Sequence, residues 1–174
     1  MRLVLELTDE VRAVIPERMP LLIRIPGSDW MPDHSGWDVS AAVALSLALA
    51  DHGVDFIDVS SAGLMHEQHV HSGPSYQVPF AAAVKEALVK AGKHDVKVGS
   101  VGMITSGVQA EGIVSEGKAD AVLVARAFLK DPGLVWTWAG ELGAEVRVAD
   151  QIGWGFGQRP DGGVKGGHAS AARG

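Results

Sequence analysis

No cysteine occurs among the 174 residues, which excludes disulfides, thiolate metal sites and a thiol nucleophile together. Positive charge is also short: 15 Lys and Arg stand against 21 Asp and Glu, a formal net charge of −6. That balance suits neither nucleic acid nor an anionic membrane surface, and neither is expected as a partner. Long hydrophobic runs are missing too. The longest, 39–50, covers 12 residues between Asp38 and Asp51, against the roughly 20 that span a bilayer. The opening residues MRLVLELTDE carry charge where a secretory signal would be apolar. These absences lead to the expectation of a soluble intracellular protein, cytoplasmic in location. With a 47% hydrophobic content, a chain of this length can bury a core as one domain.

What the chain does have is alternation. The stretch VKVGSVGMITSGVQAEGIVSEGKADAVLVARAFL, 96–129, reads as strand, glycine turn, helix, strand and the start of a further helix. Ser106 or Thr105 can cap a helix over 108–115 with Val108, Ile113 and Val114 apolar, and Gly117 ends it. Parallel strands joined by a helix cross over right-handedly, so both strand ends emerge on one rim. There the backbone near Gly102–Met103 and Ala125–Arg126, with a guanidinium beside it, offers what a phosphate needs.

The same unit recurs. A helix over 3–15 carries Leu3, Leu7, Val11 and Val14 on one face. Strands follow near 21–25 (buried on both faces except for Arg24), 54–59, 97–101 and 121–124. Helices follow at 38–52, capped by Asp38 and stopped by Gly53, at 76–91, and from Asp131–Pro132 to about Leu142. Strand–helix alternation of this spacing means an α/β fold with a parallel sheet, either a (β/α) barrel or a doubly wound sheet. Four units make half of an eight-unit barrel, which leaves 21–25 and 121–124 each with an open side. The chain is therefore expected to be incomplete or to find a partner. Residues 1–158 are read as the half barrel and 159–174 as a disordered Gly-rich tail.

The series PLLIRI, GVDFIDVSSAG, VGMIT, ADAVLVARAFLKDP and QIGW, in order over residues 2–158, resembles the carboxy-terminal half of the old yellow enzyme family. These are FMN-dependent NAD(P)H oxidoreductases, and the likeness is to their bacterial- and fungal-type branch. The resemblance implies the carboxy-terminal half, strands five to eight, of a (β/α)₈ TIM barrel that binds FMN, takes hydride from NAD(P)H and passes it to an activated alkene. It puts Arg24 beside the pyrimidine side of the flavin, Gly102 and Met103 in the phosphate turn after strand seven, and Ala125 and Arg126 after strand eight. The family has glycine where Ala125 stands, and alanine fits only if φ is negative. The catalytic groups of the family lie in the amino-terminal half and have no counterpart here. No catalytic residue is assigned, and the chain alone is expected to bind FMN weakly and turn over little.

Other residues weigh less. Ser60 and Ser61 end a strand on the rim and are read as turn caps rather than ligand contacts. His66, His69 and His71 crowd one loop without a carboxylate cluster or helical spacing, so no metal is assigned to them. Trp30 lines the substrate mouth or packs its loop. Gly153, Gly155 and Gly157 imitate a dinucleotide fingerprint without its strand and helix, and are read as a flexible terminus. Three functional readings stand: an FMN oxidoreductase in truncated or split form, a non-catalytic phosphate-binding half barrel closing as a homodimer, and an interaction module offering its strand edges.

Overall fold

Each apolar run becomes a strand followed by a helix. A computed structural model describes residues 1–32, 36–61 and 65–157. In chain order the elements are α1 (Arg2–Val14), β1 (Leu22–Pro26), α2 (Val39–Asp51), β2 (Phe56–Ser60), α3 (Val78–Lys90), β3 (Lys97–Val101), α4 (Gly107–Ser115), β4 (Ala121–Leu123), α5 (Arg126–Lys130) and α6 (Leu134–Leu142), with a 3₁₀ turn at Gly153–Phe156. The strands form one parallel sheet in the order β1-β2-β3-β4. Sequential order with helical crossovers is the topology of a section of a (β/α) barrel, here open along the outer edges of β1 and β4. The turn residues Ala62 and Gly63 and the tail over 159–174 lie outside the described residues.

Local chemistry sets the helix ends. The Asp38 carboxylate accepts from the Ala41 N–H at 2.9 Å and from the Ser40 hydroxyl at 2.6 Å, opening α2. The Ser40 hydroxyl first, then the Ala41 N–H, holds that carboxyl below its ordinary range. Ser106 caps α4 by accepting from the Gln109 N–H at 3.2 Å. Asp131 does the equivalent before α6, accepting from the Gly133 N–H at 2.8 Å and the Thr137 hydroxyl at 2.6 Å. That turn separates α5 from α6.

The helices cover one face of the sheet. Ile25, Ile57, Val59 and Val98 point toward them and join Leu45 and Leu49 of α2 with Val84 and Leu88 of α3 in the main core. A smaller cluster of Ile104, Ala110, Ile113 and Ala119 sits under α4 and α6. Because side chains alternate along a strand, Leu22, Arg24 and Asp58 fall on the other face. That is the face a closed barrel would turn inward.

Three expectations about faces need correcting. On α1 the buried residue is Thr8, flanked by Val4 and Leu5, while Leu3, Leu7 and Val14 are exposed. The helix carries two apolar stripes, and the covered one is that packed toward α2 and the main core. β1 is not buried on both faces, because Leu22 stands exposed beside Arg24 on the uncovered side, and β4 is only half-buried throughout. On α4 the inward residues are Gly107, Ala110 and Ile113, with Val108 and Val114 exposed. Gly107 allows α6 to pack close: a Cβ there would stand 2.9 Å from the Trp138 backbone oxygen and Cβ.

The 153–157 segment is not a loose end. It forms the 3₁₀ turn, and Phe156 lies against Trp136 with ring centroids 4.7 Å apart.

Candidate functional site

Backbone strain marks one rim of the sheet. Among the described residues, three that are not glycine have positive φ: Trp30 at 55°, Ser75 at 61° and Met103 at 49°. They lie in the loops following β1, β2 and β3, where the strands end. Left-handed conformations cost non-glycine residues about 1 kcal/mol or more each, and such costs gather at functional sites. Gly102, beside Met103, is also left-handed at 119°. It has no room for a side chain, since a Cβ would meet Gln77 at 2.8 Å and Tyr76 at 2.9 Å.

A cavity of about 390 Å³ opens at this rim between the ends of β3 and β4. Gly102, Met103, Ala125 and Arg126 all line it, together with Gln77 and Lys130. Ala125 has φ −113°, so alanine stands there without strain where glycine was expected. Arg126 and Lys130 are exposed, one helical turn apart. α5 has only five residues, so the positive character of the site comes from these two side chains rather than from a helix dipole.

Arg24 is not part of that cavity. It sits on β1, two strands away from β3 and three from β4, and pairs across to β2: its Nε donates to Asp58 Oδ2 at 2.5 Å. Arg24 and Asp58 are direct register partners. The guanidinium side chain is 62% exposed and the carboxylate side chain 9% exposed. Asp58 Oδ1 is buried without a hydrogen-bond partner. Beyond Asp58, the surface between Arg24 and the cavity is apolar at Phe56 and Leu123. Phe56 and Leu123 close over Gly99, each 2.6 Å from where its Cβ would stand.

Side chains that no motif announced hold the rim together. Trp30 Nε1 donates to Ser61 Oγ at 2.8 Å, the Ser61 hydroxyl donates to Gln77 Oε1 at 2.6 Å, and Gln77 Nε2 donates to the Val101 carbonyl at 3.4 Å. Ser61 is thus engaged in a link between loops, not in a turn cap. Trp30 also packs edge-on against Phe80 at 5.4 Å and His71 at 6.2 Å, which places it in the loop packing. Gln109 Nε2 donates to the Met103 carbonyl at 3.0 Å and to Ser75 Oγ at 2.7 Å, while its Oε1 accepts from the Thr105 N–H at 2.9 Å. Two of the three strained residues are therefore tied to one amide side chain. No group of three residues able to hold a metal occurs among the described residues.

Residues 1–144 match the NADH:flavin oxidoreductase / NADH oxidase family. The chain belongs to that family. It is 38% identical over 174 residues to an NADH:flavin oxidoreductase of Gibberella zeae, covering 94% of this chain and 41% of the relative. An NADPH dehydrogenase of Geobacillus sp. is 37% identical over 153 residues, 87% of this chain and 42% of its own. An NADPH dehydrogenase of Bacillus subtilis is 35% identical over 155 residues, 88% and 43% of the two chains. The chain spans about two fifths of the length of these curated relatives.

For this flavin oxidoreductase family member, the old yellow enzyme likeness and the partial barrel agree with each other. Of the five expected cofactor residues, the fold brings four around one cavity and leaves Arg24 on the neighbouring open face. Asp58, Gln77, Gln109 and Lys130 join them without having been singled out by sequence. The nearest signal was for Asp58, an acid inside an apolar strand.

Proposed function

We propose that this chain is the FMN-holding part of an NAD(P)H-dependent flavin oxidoreductase of the old yellow enzyme type. The cavity at the β3 and β4 ends takes the FMN phosphate. Gly102 and Met103 supply the close turn, Ala125 leaves space, and Arg126 supplies a bidentate cation. The ring lies across the apolar floor of Phe56 and Leu123 toward Arg24, whose charge favours electron density at the pyrimidine edge. FMN, when bound, supplies hydride chemistry between NAD(P)H and an activated alkene. The chain's own residues bind and orient it.

One observation carries this reading: four residues selected by motif from two separate strand ends line a single cavity of about 390 Å³, beside a strained Met103. No residue here is assigned a proton transfer or a contact with the alkene, so the chain alone is inactive or nearly so. Cytoplasmic placement belongs to the same proposal; among the described residues no helix is long and apolar enough to cross a membrane. Mixing the purified chain with FMN and then with NADPH tests it. Bound-flavin absorbance without rapid NADPH oxidation is expected, whereas no bound flavin at millimolar FMN contradicts the reading.

The open edges favour a companion proposal about partners. A parallel sheet is normally covered on both faces, yet among the described residues β1 and β4 have free edges and Leu22 and Arg24 stand uncovered. Four further strands close the barrel, from an amino-terminal half or from a second copy as a homodimer. Native mass distinguishes a defined dimer from a monomer that binds a separate half. A monomer that still holds FMN firmly would count against the need for closure. An interaction module without ligand predicts no stabilisation by FMN at all.

A further inference from the structure

We propose that Asp58 positions Arg24 and offsets its charge, and so sets how strongly this face of the sheet favours a reduced over an oxidised flavin. The proposal rests on the FMN reading above. Asp58 accepts from Nε, the inner nitrogen of Arg24, at 2.5 Å. Held side-on in this way, the guanidinium keeps its two terminal nitrogens for the exposed side. The carboxylate has little else to interact with. Its other oxygen, Oδ1, is buried without a partner, and its side chain is only 9% exposed. Among the described residues no backbone N–H donates to it, and at 9% exposure water barely screens it. Its field therefore acts chiefly on the Arg24 guanidinium and on whatever lies against it.

That arrangement has a definite consequence for redox balance. Hydride transfer from a nicotinamide brings two electrons and one proton, so the acceptor ring gains one negative charge until a second proton arrives. An uncompensated arginine at the pyrimidine edge stabilises that charge fully. An arginine paired to a buried carboxylate stabilises it less, because the pair is close to neutral. Asp58 thereby does two things: it fixes where the guanidinium points and keeps the flavin from becoming too strong an oxidant. It touches no reacting atom and is a positioning residue.

The test measures the midpoint potential of FMN bound to the chain, with FMN affinity followed separately. Asp58→Asn keeps the shape and removes the charge. It is expected to raise the affinity ratio of reduced to oxidised FMN about tenfold, a shift of about 30 mV to more positive potential for a two-electron couple. Asp58→Glu, which keeps the charge, stays closer to wild type. The double variant Arg24→Gln/Asp58→Asn, again neutral overall, returns toward the wild-type potential. An unchanged potential in Asp58→Asn with FMN bound overturns the proposal, because a merely structural carboxylate would lower stability and leave the potential alone. Should Asp58→Asn fail to fold, Arg24→Gln compared with the double variant reads the same quantity. The lone carboxylate must then lower the potential relative to the double, and equal values overturn the proposal. Failure of the wild-type chain to bind FMN is a different result: it removes the FMN reading, and this inference with it, before any substitution is made.

Discussion

Gln109, in the first turn of α4, holds the carbonyl of Met103 at 3.0 Å, and Met103 is the residue whose left-handed backbone shapes the cavity at the strand ends. The same amide bonds Thr105 and Ser75, so one side chain ties two strained loops to a helix. Replacing Gln109 with Ala removes three hydrogen bonds, each worth about 1 kcal/mol net. A loss of about 1–3 kcal/mol in unfolding free energy is expected, with FMN affinity falling further than that of a stability-matched core variant. Urea titration and FMN fluorescence quenching measure the two. Weakened folding with unchanged FMN affinity would remove Gln109 from the site.

Gly102 and Ala125 make opposite predictions although they line the same cavity. Gly102→Ala forces a side chain into a left-handed backbone and against Gln77 at 2.8 Å. A cost of about 1–3 kcal/mol and loss of FMN binding are expected. Ala125→Gly replaces a residue with ordinary φ of −113°. It should cost at most about 1 kcal/mol and bind FMN as well as the wild type or better. Thermal melts with and without FMN separate them.

The two arginines also differ. Arg126 is exposed at the start of α5, so Arg126→Ala should change stability by no more than about 0.5 kcal/mol. Arg24→Ala leaves Asp58 buried without its counter-ion. It should cost about 1–3 kcal/mol, less than a fully buried pair because Arg24 is 62% exposed. If both variants melt alike, the Arg24–Asp58 pair is weaker than its geometry indicates.

Acid should weaken the end of the sheet opposite the rim. The Leu21 N–H at 2.7 Å, followed by the Arg12 guanidinium at 2.6 Å, holds the Asp55 carboxyl below the usual carboxylate range. A carboxyl whose folded pKa is depressed contributes stability above its unfolded pKa and loses it as pH falls through the folded one. The contribution is therefore constant at neutral pH and disappears below about pH 4. Asp55 is half exposed, so the effect is modest. Asp55→Asn should lower stability at pH 7 by about 1 kcal/mol and flatten the acid slope of the melting temperature. An unaltered slope would assign acid sensitivity to other carboxylates.

Much of the architecture could be read from residue patterns because local signals agreed with the fold. The β-branched run at Lys97–Val101 is a strand, Asp38 and Ser106 do cap helices, and the turn at Gly102 is where its φ demands glycine. The four residues that line the cavity at the ends of β3 and β4 are legible because motifs at two strand ends meet whenever parallel strands are neighbours. Asp58 is not, since its role depends on inter-strand register with Arg24. Gln77 and Gln109 are neutral amides in no motif, and their partners lie 24 and 34 residues away in sequence, in Val101 and Ser75. The buried side of α1 is not legible in the sequence for a simpler reason. Helical periodicity shows that Leu3, Leu7 and Val14 share a face, but Val4, Leu5 and Thr8 share another, and only the position of α2 and the main core chooses between them.

The most direct measurement compares FMN with riboflavin, which differ only in the phosphate, on the wild-type chain and on Arg126→Ala. Charge-assisted hydrogen bonds of about 1.5–3 kcal/mol predict at least tenfold tighter binding of FMN by the wild type, with most of that preference gone in Arg126→Ala. Equal affinity for FMN and riboflavin in the wild-type chain would contradict the account.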